Sequence, residues 1–433
     1  MGFRTRTTAT SSGTHGAGRE RAAHRIARRD GCRINRLVGD GTDTRFPLTY
    51  VRTGPRGRIP ILILPGGPGL ASAVPYQRLR VLAARDGLDV IMMEHRGVGL
   101  SRRDEHGHDL PGSAVTIERV IDDMAAVLDA ADVPRALVYG SSYGTYLAQG
   151  FGVRHPERVA GMILDSPMLS VEQDLDMVRA HRRGLFLEGS DPALAPVVVA
   201  VRDAIDAGLP QDEISAIVQI TYEFAGPEVL TEILRERSRG RLRRTWQTVS
   251  RLGRSEVDGA VVPYYAETDL VRDIMYRELG YGLPTDGEPL DPQSIFAAAR
   301  PHPPFDAEPF DLPTRIPEFT WPTAVLSGER DLRTPRPVAE RIVELVPEAV
   351  LVPVAGMAHS ALDTHRLVAI GVSDSCSESL SGKGFGHVPE LAPMLSRLPK
   401  KGMSNALGRA ITTAVGLGKR AGSVASLIRL GSR

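Results

Sequence analysis

The chain has 433 residues, of which 42% are hydrophobic and 24% are charged. These proportions are those of a globular protein with a large core, and they argue against a fibrous or wholly disordered chain. The net charge of +1 conceals an asymmetry, because residues 1–36 carry +7 and residues 391–433 carry +8, which leaves −14 between them. An acidic middle argues against a nucleic-acid-binding core and suits cationic or amine-bearing substrates.

Two features bear on the cellular compartment. Cys32 and Cys376 are the two cysteines; they lie far apart, outside the expected core, and predict neither a disulfide framework nor a metal site. No run approaches the ~18 apolar residues that a membrane span needs, and the N-terminal segment lacks the apolar centre of a secretory signal. We therefore expect a cytoplasmic protein that holds no metal and no other cofactor.

Taken in chain order, the sequence alternates between two patterns. Residues 1–36 show no apolar periodicity and are predicted to be disordered. Beyond them, short apolar runs predict buried strands, and apolar residues spaced by three or four predict helices. The predicted strands are 48–52, 59–64, 89–93, 135–139, 159–164, 324–326 and 349–352. The predicted helices are 76–85, 116–131, 145–154, 197–207, 211–224, 228–242 and 337–345.

This alternation favours an α/β fold with a mostly parallel, doubly wound sheet that is covered on both faces. It is interrupted at residues 169–312, which are mainly helical and charged, and it resumes near residue 323. We predict a sheet domain built from residues 37–168 and 313–370, with an inserted helical cap at 169–312. A basic tail follows at 371–433.

The strongest chemical signal is the run Gly140-Ser141-Ser142-Tyr143-Gly144. It lies between a predicted buried strand and a predicted helix. A serine in that position occupies a tight, strained turn between the strand and the helix, which is called the elbow below. This turn requires small residues two positions before and after the serine. The turn lifts the hydroxyl above the strand end and aims the helix amino end at the reacting oxygen. We predict that Ser142 is a nucleophile.

A serine hydroxyl becomes a good nucleophile only when a base takes its proton. The order of elements in such a fold places that base in the loop after the last strand. His359 occupies this place and is the favoured base. His365, His302 and His155 are poorer candidates, because they fall in a helix, in a proline-rich segment and directly after the elbow helix.

An acid is needed to orient the histidine and to offset its charge when it is protonated. Asp331 is the favoured acid because it follows the penultimate predicted strand directly. Glu329 is the local alternative. Asp165, at the end of the strand after the elbow, is the other position that this architecture could use.

The oxyanion formed during acyl transfer needs two N–H donors. One is expected to be the amide of Tyr143, the residue after the nucleophile. The second is expected in the loop Pro65-Gly66-Gly67-Pro68-Gly69, where Gly67 is favoured over Gly66.

Four motifs together resemble the proline iminopeptidase family of α/β-hydrolases, including the related tripeptidyl aminopeptidases. They are the loop that begins at Pro65, the run Glu94-His95-Arg96-Gly97-Val98-Gly99-Leu100-Ser101, the Ser142 elbow, and the segments 327–335 and 356–360. The likeness covers about residues 45–370. This chain departs from the family pattern at Pro65, at Glu94-His95 and at Tyr143. The run from Glu94 to Ser101 is expected to be a structural turn in which Arg96 holds neighbouring loops.

The resemblance implies a nucleophile, an acid and a base at Ser142, Asp331 and His359, with oxyanion donors at Gly67 and Tyr143. Members of the family remove N-terminal residues from peptides and hold the free amine of the substrate with glutamates of the cap. In this chain the candidates for that role are Glu223, Glu267 and Glu278.

These residues predict a serine hydrolase that works through an acyl-enzyme, foremost an aminopeptidase that acts on short peptides. An esterase, amidase or lactonase acting on a small hydrophobic ester is the alternative. A non-catalytic ligand-binding protein of the same fold is a third possibility. The basic tail has helical apolar spacing that suits either an anionic membrane or, as the favoured interpretation, a solvated or packed tail.

Overall fold

The computed structural model describes residues 12–255, 261–297, 302–380, 382, 384–400 and 403–430. Its centre is a sheet of eight strands, which lie in the spatial order β1-β2-β4-β3-β5-β6-β7-β8. Strand β2 is antiparallel to both of its neighbours, and every other neighbouring pair is parallel. The predicted mostly parallel sheet is therefore confirmed. The strands are β1 (Gly31–Leu37), β2 (Arg45–Thr53), β3 (Ile61–Leu64), β4 (Val90–Met93), β5 (Ala136–Ser141), β6 (Val159–Asp165), β7 (Thr323–Gly328) and β8 (Ala349–Val354).

The α-helices of the described residues surround this sheet and fill the interval between β6 and β7. They are α1 (Ser12–Asp30), α2 (Gln77–Arg85), α3 (Ile117–Ala130), α4 (Tyr143–Arg154), α5 (Val171–Arg183), α6 (Ala195–Asp206), α7 (Gln211–Phe224), α8 (Pro227–Ser238), α9 (Arg243–Ser255), α10 (Gln293–Ala297), α11 (Leu312–Arg315), α12 (Arg336–Leu345), α13 (Ala361–Thr364), α14 (Arg366–Ser379), α15 (Ala392–Leu395) and α16 (Met403–Leu430). Single π-helical turns occupy Gly184–Glu188 and Ile274–Glu278.

The central strands are buried along their whole length, which explains why their sequences are continuous apolar runs rather than alternating ones. Successive side chains nevertheless point to opposite faces. In β3, Leu62 and Leu64 join the apolar cluster that includes residues of α3, α4 and α12. Ile61 and Ile63 join the cluster that includes residues of α1, α2 and α14. A parallel sheet of this kind is stable only with both faces covered.

The N-terminal segment departs from the prediction of disorder for residues 1–36. Helix α1 and strand β1 form there, with β1 paired to β2 along its full length. Ile26 of α1 is buried against the sheet. The apolar signal was weak because β1 is a half-exposed edge strand that carries Arg33 and Arg36, and its stability comes from pairing with β2 rather than from its own side chains. Residues 1–11 lie outside the described part.

The predicted cap interval, residues 169–312, contributes to two different cores. Helices α6 to α9 enclose a third apolar cluster, which includes Phe186, Ile217 and Trp246. Val271 and Met275 instead join the cluster on the sheet. Part of the interval is therefore an extension of the sheet domain rather than a separate layer.

Parts of the predicted basic tail, residues 371–433, are packed against the rest of the protein. Cys376 on α14 is fully buried, contrary to the prediction that both cysteines lie outside the core. Leu407, Ile411 and Val415 of α16 pack into the apolar cluster of the cap. At these three positions, the apolar face that suited a membrane surface is covered by protein, which is the packed form of the favoured interpretation.

Within the described residues, no helix taken singly has both the length and the apolar character of a membrane span. One bent pair, Val171–Glu188 with Pro192–Asp206, meets the length and composition criteria jointly.

Candidate active site

Three loops meet at the carboxyl edge of the sheet. The register pairs Ser141 of β5 with Asp165 of β6, Asp165 with Leu326 of β7, and Gly328 at the end of β7 with Val354 at the end of β8. Residues that follow these strands therefore emerge side by side, although Ser142 and His359, for example, are 217 positions apart in sequence. This edge is where open α/β sheets bind ligands.

Ser142 stands in the tight turn between β5 and α4, with φ of 52° and ψ of −121°. That left-handed conformation is strained for a serine, and the surrounding glycines make it sterically possible. A Cβ on Gly140 would lie 2.2 Å from the carbonyl oxygen of Gly144, and a Cβ on Gly144 would lie 2.1 Å from the carbonyl oxygen of Leu64. Glycine at both positions is a steric requirement of the elbow.

The structure brings the three predicted triad residues together. The Oγ of Ser142 lies 2.8 Å from Nε2 of His359. The Nδ1 of His359 lies 3.1 Å and 3.0 Å from the two carboxylate oxygens of Asp331. This line of hydrogen bonds can take a proton from the hydroxyl and stabilise the resulting imidazolium.

The carboxylate of Asp331 is held by its own loop, residues 329–335, which is called the acid loop below. Its Oδ1 accepts hydrogen bonds from the backbone N–H groups of Arg333 at 2.9 Å and Thr334 at 3.0 Å. Its Oδ2 accepts from the Thr334 hydroxyl at 3.1 Å. Thr334 was not singled out from the sequence. A threonine three residues after a candidate acid, in a turn, is the signal that could have identified it.

The opposite charges of Asp331 and His359 determine the protonation states of both side chains. Burial alone would raise the pKa of Asp331, but the His359 imidazolium and the hydrogen bonds of the acid loop lower that pKa to about 2. For His359, burial lowers the pKa while the charge and hydrogen bond of Asp331 raise it, and the net result is a raised pKa. Asp331 is therefore ionised at neutral pH and His359 is a stronger base than a free imidazole.

The two alternative acids have other partners. Asp165 accepts hydrogen bonds from the N–H groups of Ala361 and Leu362, each at 2.9 Å, and from the hydroxyl of Tyr139. It thereby satisfies the amino end of α13, directly after the histidine. Glu329 is exposed and accepts from the N–H of Gly356 at 2.6 Å. Glu329 thus anchors the base loop, residues 355–360, and Asp165 anchors helix α13 directly after it; both carboxylates bind backbone N–H groups rather than the imidazole.

The alternative histidines lie elsewhere. His365 contacts Thr364, with its Nδ1 2.9 Å from that hydroxyl. His302 stacks on Tyr276, with ring centroids 4.4 Å apart. His155 ends helix α4.

Two serines, Ser166 and Ser360, fix the base loop, and neither role was identified from the sequence. The N–H of Ser360 donates to the hydroxyl of Ser166 at 2.9 Å, and the hydroxyls of Ser360 and Ser141 lie 2.8 Å apart. Ser166 and Ser360 have positive φ values of 55° and 62°. Serines directly after a strand end and directly after a candidate base are the available sequence signal, but the contact exists only because β5, β6 and β8 end at one edge.

The loop between β3 and α2 lies against the nucleophile. A Cβ on Gly66 would come within 3.1 Å of the Ser142 Cβ and 3.7 Å of its Oγ. Gly67 has a φ of 122°, and a Cβ there would lie 2.7 Å from the backbone nitrogen of Gly69. Gly67 is thus required by its backbone conformation and by close backbone approach, whereas a side chain on Gly66 would crowd Ser142. The choice of Gly67 and of the Tyr143 amide as oxyanion donors stays a prediction.

The side chain of Tyr143 points into the protein. Its hydroxyl lies 3.1 Å from Nε2 of His95, whose Nδ1 lies 2.6 Å from the carbonyl oxygen of Arg96. Burial lowers the pKa of His95 to about 4, so this ring is neutral, with Nδ1–H donating to the carbonyl and Nε2 accepting from the phenol. The arrangement fixes the first turn of α4 behind the nucleophile.

Arg96 has the loop-holding role that was expected of it. Its guanidinium donates to both carboxylate oxygens of Asp123 at 2.7 Å and 2.9 Å, and to the carbonyl of Ala114 at 2.8 Å. All three residues are buried. This bidentate ion pair between Arg96 and Asp123 stabilises the turn and leaves neither side chain available for catalysis.

The three cap glutamates proposed to hold an amine have different surroundings. Glu267 is buried and accepts from the N–H groups of Tyr264 and Gly99 at 2.7 Å and 2.9 Å. Glu223 is buried and pairs with the guanidinium of Arg333 at 3.0 Å. In both, the carboxylate serves the protein's own backbone and charges, which argues against a role in amine binding.

Glu278 has a more open environment. One of its oxygens accepts from the N–H of Ile117 at 2.9 Å, at the start of α3; among the described residues, no donor reaches the other oxygen. Burial raises the pKa of Glu278 to about 7. Its charge also acts on the phenols of Tyr143 and Tyr146 in α4, the helix that begins directly after Ser142. A cation bound there would restore the charged form of the carboxylate. Within the described residues, no cluster of three or more potential metal ligands occurs.

In comparison with known proteins, this chain is similar to α/β-hydrolases. A family profile described as alpha/beta hydrolase fold matches residues 59–198. A proline iminopeptidase from Heyndrickxia coagulans is 29% identical over 121 residues, which are 27% of this chain and 39% of that protein. The matched part thus spans about two fifths of that relative.

Two further proteins show more extended similarity. The rhodomycin D methylesterase DauP from Streptomyces sp. strain C5 is 24% identical over 315 residues, which cover 72% of this chain and 89% of that protein. The crystal structure of a proline iminopeptidase from Mycobacterium smegmatis superposes with a TM-score of 0.45 at 19% identity, and it covers 81% of this chain and 98% of its own.

Proposed function

We propose that this chain, which has the α/β-hydrolase fold, is a serine hydrolase in which Ser142, His359 and Asp331 form the catalytic triad. The observation that carries the proposal is the continuous line of hydrogen bonds from the Ser142 hydroxyl through the imidazole to the Asp331 carboxylate. Reaction with a fluorophosphonate probe tests it. The native protein should be labelled, and Ser142→Ala should not. Absence of labelling of the native protein would favour a ligand-binding role for this fold.

In the proposed mechanism, Oγ of Ser142 attacks the substrate carbonyl while Nε2 of His359 takes the hydroxyl proton. The oxyanion is held by backbone N–H groups, for which the Tyr143 amide and a donor from the 65–69 loop are the candidates. His359 then gives its proton to the departing amine or alcohol, and an acyl-Ser142 ester forms. Water, deprotonated by His359, hydrolyses that ester and restores the free serine. Asp331 stays ionised throughout and stabilises the imidazolium.

The proposed substrate class is a short peptide with a free N-terminus, which makes the protein an aminopeptidase. Support comes from the motif resemblance and from the similarity to a proline iminopeptidase over the residues that the two proteins share. Glu278 adds a physical reason, because a half-buried carboxylate with a raised pKa gains most from a bound ammonium group. It is the candidate for the amine contact.

An amine contact can be tested by blocking the substrate amine. An aminoacyl-naphthylamide should be cleaved, and its N-acetylated form should be cleaved at least 10-fold more slowly. Glu278→Gln should raise KM for the free-amine substrate by about 10-fold, as expected for loss of one charged hydrogen bond. The same variant should leave a simple p-nitrophenyl ester unaffected. Equal turnover of free and acetylated substrates would refute the aminopeptidase assignment while leaving the triad intact.

An esterase is the second candidate, and one observation favours it. The similarity to the methylesterase DauP extends over 72% of this chain, so it includes part of the cap interval. In that case, p-nitrophenyl or methyl esters should be hydrolysed with a kcat/KM at least 100-fold above that for any aminoacyl-amide. A panel of prolyl-, alanyl- and tripeptidyl-amides beside these esters separates the two candidates.

A further inference from the structure

The acid loop is embedded in the cap. Leu332, which lies between Asp331 and Arg333, is completely buried in the apolar cluster of the cap rather than in either cluster of the sheet. Its backbone is also held there: the N–H of Leu332 donates to Glu223 of α7 at 3.3 Å, and its carbonyl accepts from Arg182 of α5 at 2.9 Å. The cap thus buries the side chain of Leu332 and supplies hydrogen-bond partners for both its N–H and its carbonyl.

The next residue adds an ion pair to this attachment. The guanidinium of Arg333 approaches both oxygens of the Glu223 carboxylate: Nε lies 3.3 Å from Oε1 and 3.2 Å from Oε2, and Nη2 lies 3.0 Å from Oε2. The Glu223 side chain is fully buried, whereas that of Arg333 is 25% exposed. A carboxylate in such a place is stable only while its partner is present. The N–H of Arg333 in turn donates to Oδ1 of Asp331. Arg333 therefore links the Glu223 carboxylate to the Asp331 carboxylate, the first through its guanidinium and the second through its backbone N–H.

We propose that Glu223 is a positioning residue, through which the cap helix α7 holds the acid loop so that Asp331 faces His359. This inference rests on the proposed function of the triad, and it assigns Glu223 a role other than the amine binding that the sequence suggested. The cap then does more than cover the substrate. Displacing α7 from the sheet domain would also loosen the acid that orients the base.

The alternative is that Glu223 contributes to folding alone. The two roles differ in their electrostatic consequences, because several charged groups act on the imidazole of His359. They are Asp331 and Arg333 in the acid loop, Glu223 on α7 and Asp165 at the end of β6. The Glu223 charge raises the pKa of His359 and the Arg333 charge lowers it. Removing one member of the pair should therefore shift the acidic limb of the pH profile in the direction opposite to removing the other.

The experiment compares Glu223→Gln, Arg333→Gln and the double variant. The readouts are kcat and KM on a p-nitrophenyl ester, which has no amine, and the pH dependence of kcat/KM. Glu213→Gln is the matched control, since it makes the same change on the same helix and its carboxylate accepts from Trp246 within the cap at 2.6 Å. Fluorophosphonate labelling of the native protein establishes the triad independently, so failure of the proposed function would be visible before any variant is made.

Glu223→Gln should lower kcat on the order of 10- to 100-fold with KM changed less than 3-fold, because the reacting groups are displaced while the substrate contacts remain. Its acidic limb should move to lower pH, and that of Arg333→Gln to higher pH. The double variant should have a limb close to native and regain part of the lost kcat. Behaviour like that of Glu213→Gln would overturn the proposal, and so would a change confined to KM or limbs that move in the same direction in both single variants.

Discussion

Replacing Asp331 by asparagine tests the orientation of the catalytic base with little change in shape. The Oδ1 site must remain an oxygen, because it accepts from the N–H groups of Arg333 and Thr334. The amide nitrogen of the asparagine is therefore forced to the Oδ2 site, 3.0 Å from Nδ1 of His359. An N–H donor there makes Nδ1 an acceptor and moves the ring proton to Nε2, which faces the Ser142 hydroxyl at 2.8 Å. In this tautomer His359 cannot accept the serine proton.

The expected loss is large. The wrong tautomer in a serine protease triad lowers kcat by about 10⁴-fold, which corresponds to ~5.5 kcal/mol of transition-state stabilisation. Steady-state kinetics on a p-nitrophenyl ester, together with the rate of fluorophosphonate labelling, measures it. Glu329→Gln, in the same loop but exposed, should stay within about 3-fold of the native enzyme. A loss below 10-fold in Asp331→Asn, with the fold intact by circular dichroism, would refute the assignment of Asp331 as the orienting acid.

The same variant has a signature in the pH profile. In the native protein kcat/KM should fall as pH drops through the raised pKa of His359, above the ordinary value of 6.5. Without the Asp331 charge, burial dominates and the pKa of His359 falls. The residual activity of Asp331→Asn should therefore persist to lower pH than native activity does. A limb that stays in place would show that another group controls it.

Three glycine substitutions probe the packing of helix α16 and of the turn at Ser142. Gly408→Ala on α16 would place a Cβ 2.2 Å from the carbonyl oxygen of Phe224 at the end of α7. We therefore expect partial detachment of α16 and a loss on the order of 3 kcal/mol in the free energy of unfolding. Urea titrations measure this loss, and the cap should be proteolysed faster. Gly416→Ala on the same helix meets nothing within 4 Å and should stabilise the protein by about 0.5–1 kcal/mol, so equal effects of the two changes would contradict this packing. Gly144→Ala should abolish fluorophosphonate labelling, because its Cβ would lie 2.1 Å from the carbonyl oxygen of Leu64; native-like labelling would show that the elbow tolerates a side chain there.

The sheet and the triad could be predicted from the sequence for a clear physical reason. Buried parallel strands are continuous apolar runs, and each of the seven predicted strands overlaps an observed one. Because parallel strands end at one edge, residues directly after them meet whatever their separation along the chain. Ser142, Asp331 and His359 each follow such a strand, so their order and local context were sufficient to bring them together.

Elements stabilised mainly by distant partners were not predictable in this way. Strand β1 and helix α1 have a polar, basic sequence and form by pairing and packing with β2. Segment 271–279 looks like part of the cap, yet it contributes Val271 and Met275 to the core on the sheet. Helix α16 was seen as amphipathic, but which surface its apolar face meets depends on the cap cluster.

The three cap glutamates show the same division most clearly. From the sequence, Glu223, Glu267 and Glu278 were equivalent acidic residues on a helical segment. Their chemistry depends on what lies within 3–4 Å, and that is decided by residues more than a hundred positions away, such as Arg333 beside Glu223 and Ile117 beside Glu278. The sequence by itself determined which residues form the proposed triad, because each of them belongs to a short motif at a strand end. Only the tertiary structure decided which carboxylate is left to meet a substrate, because long-range contacts set the charge, burial and pKa of each one.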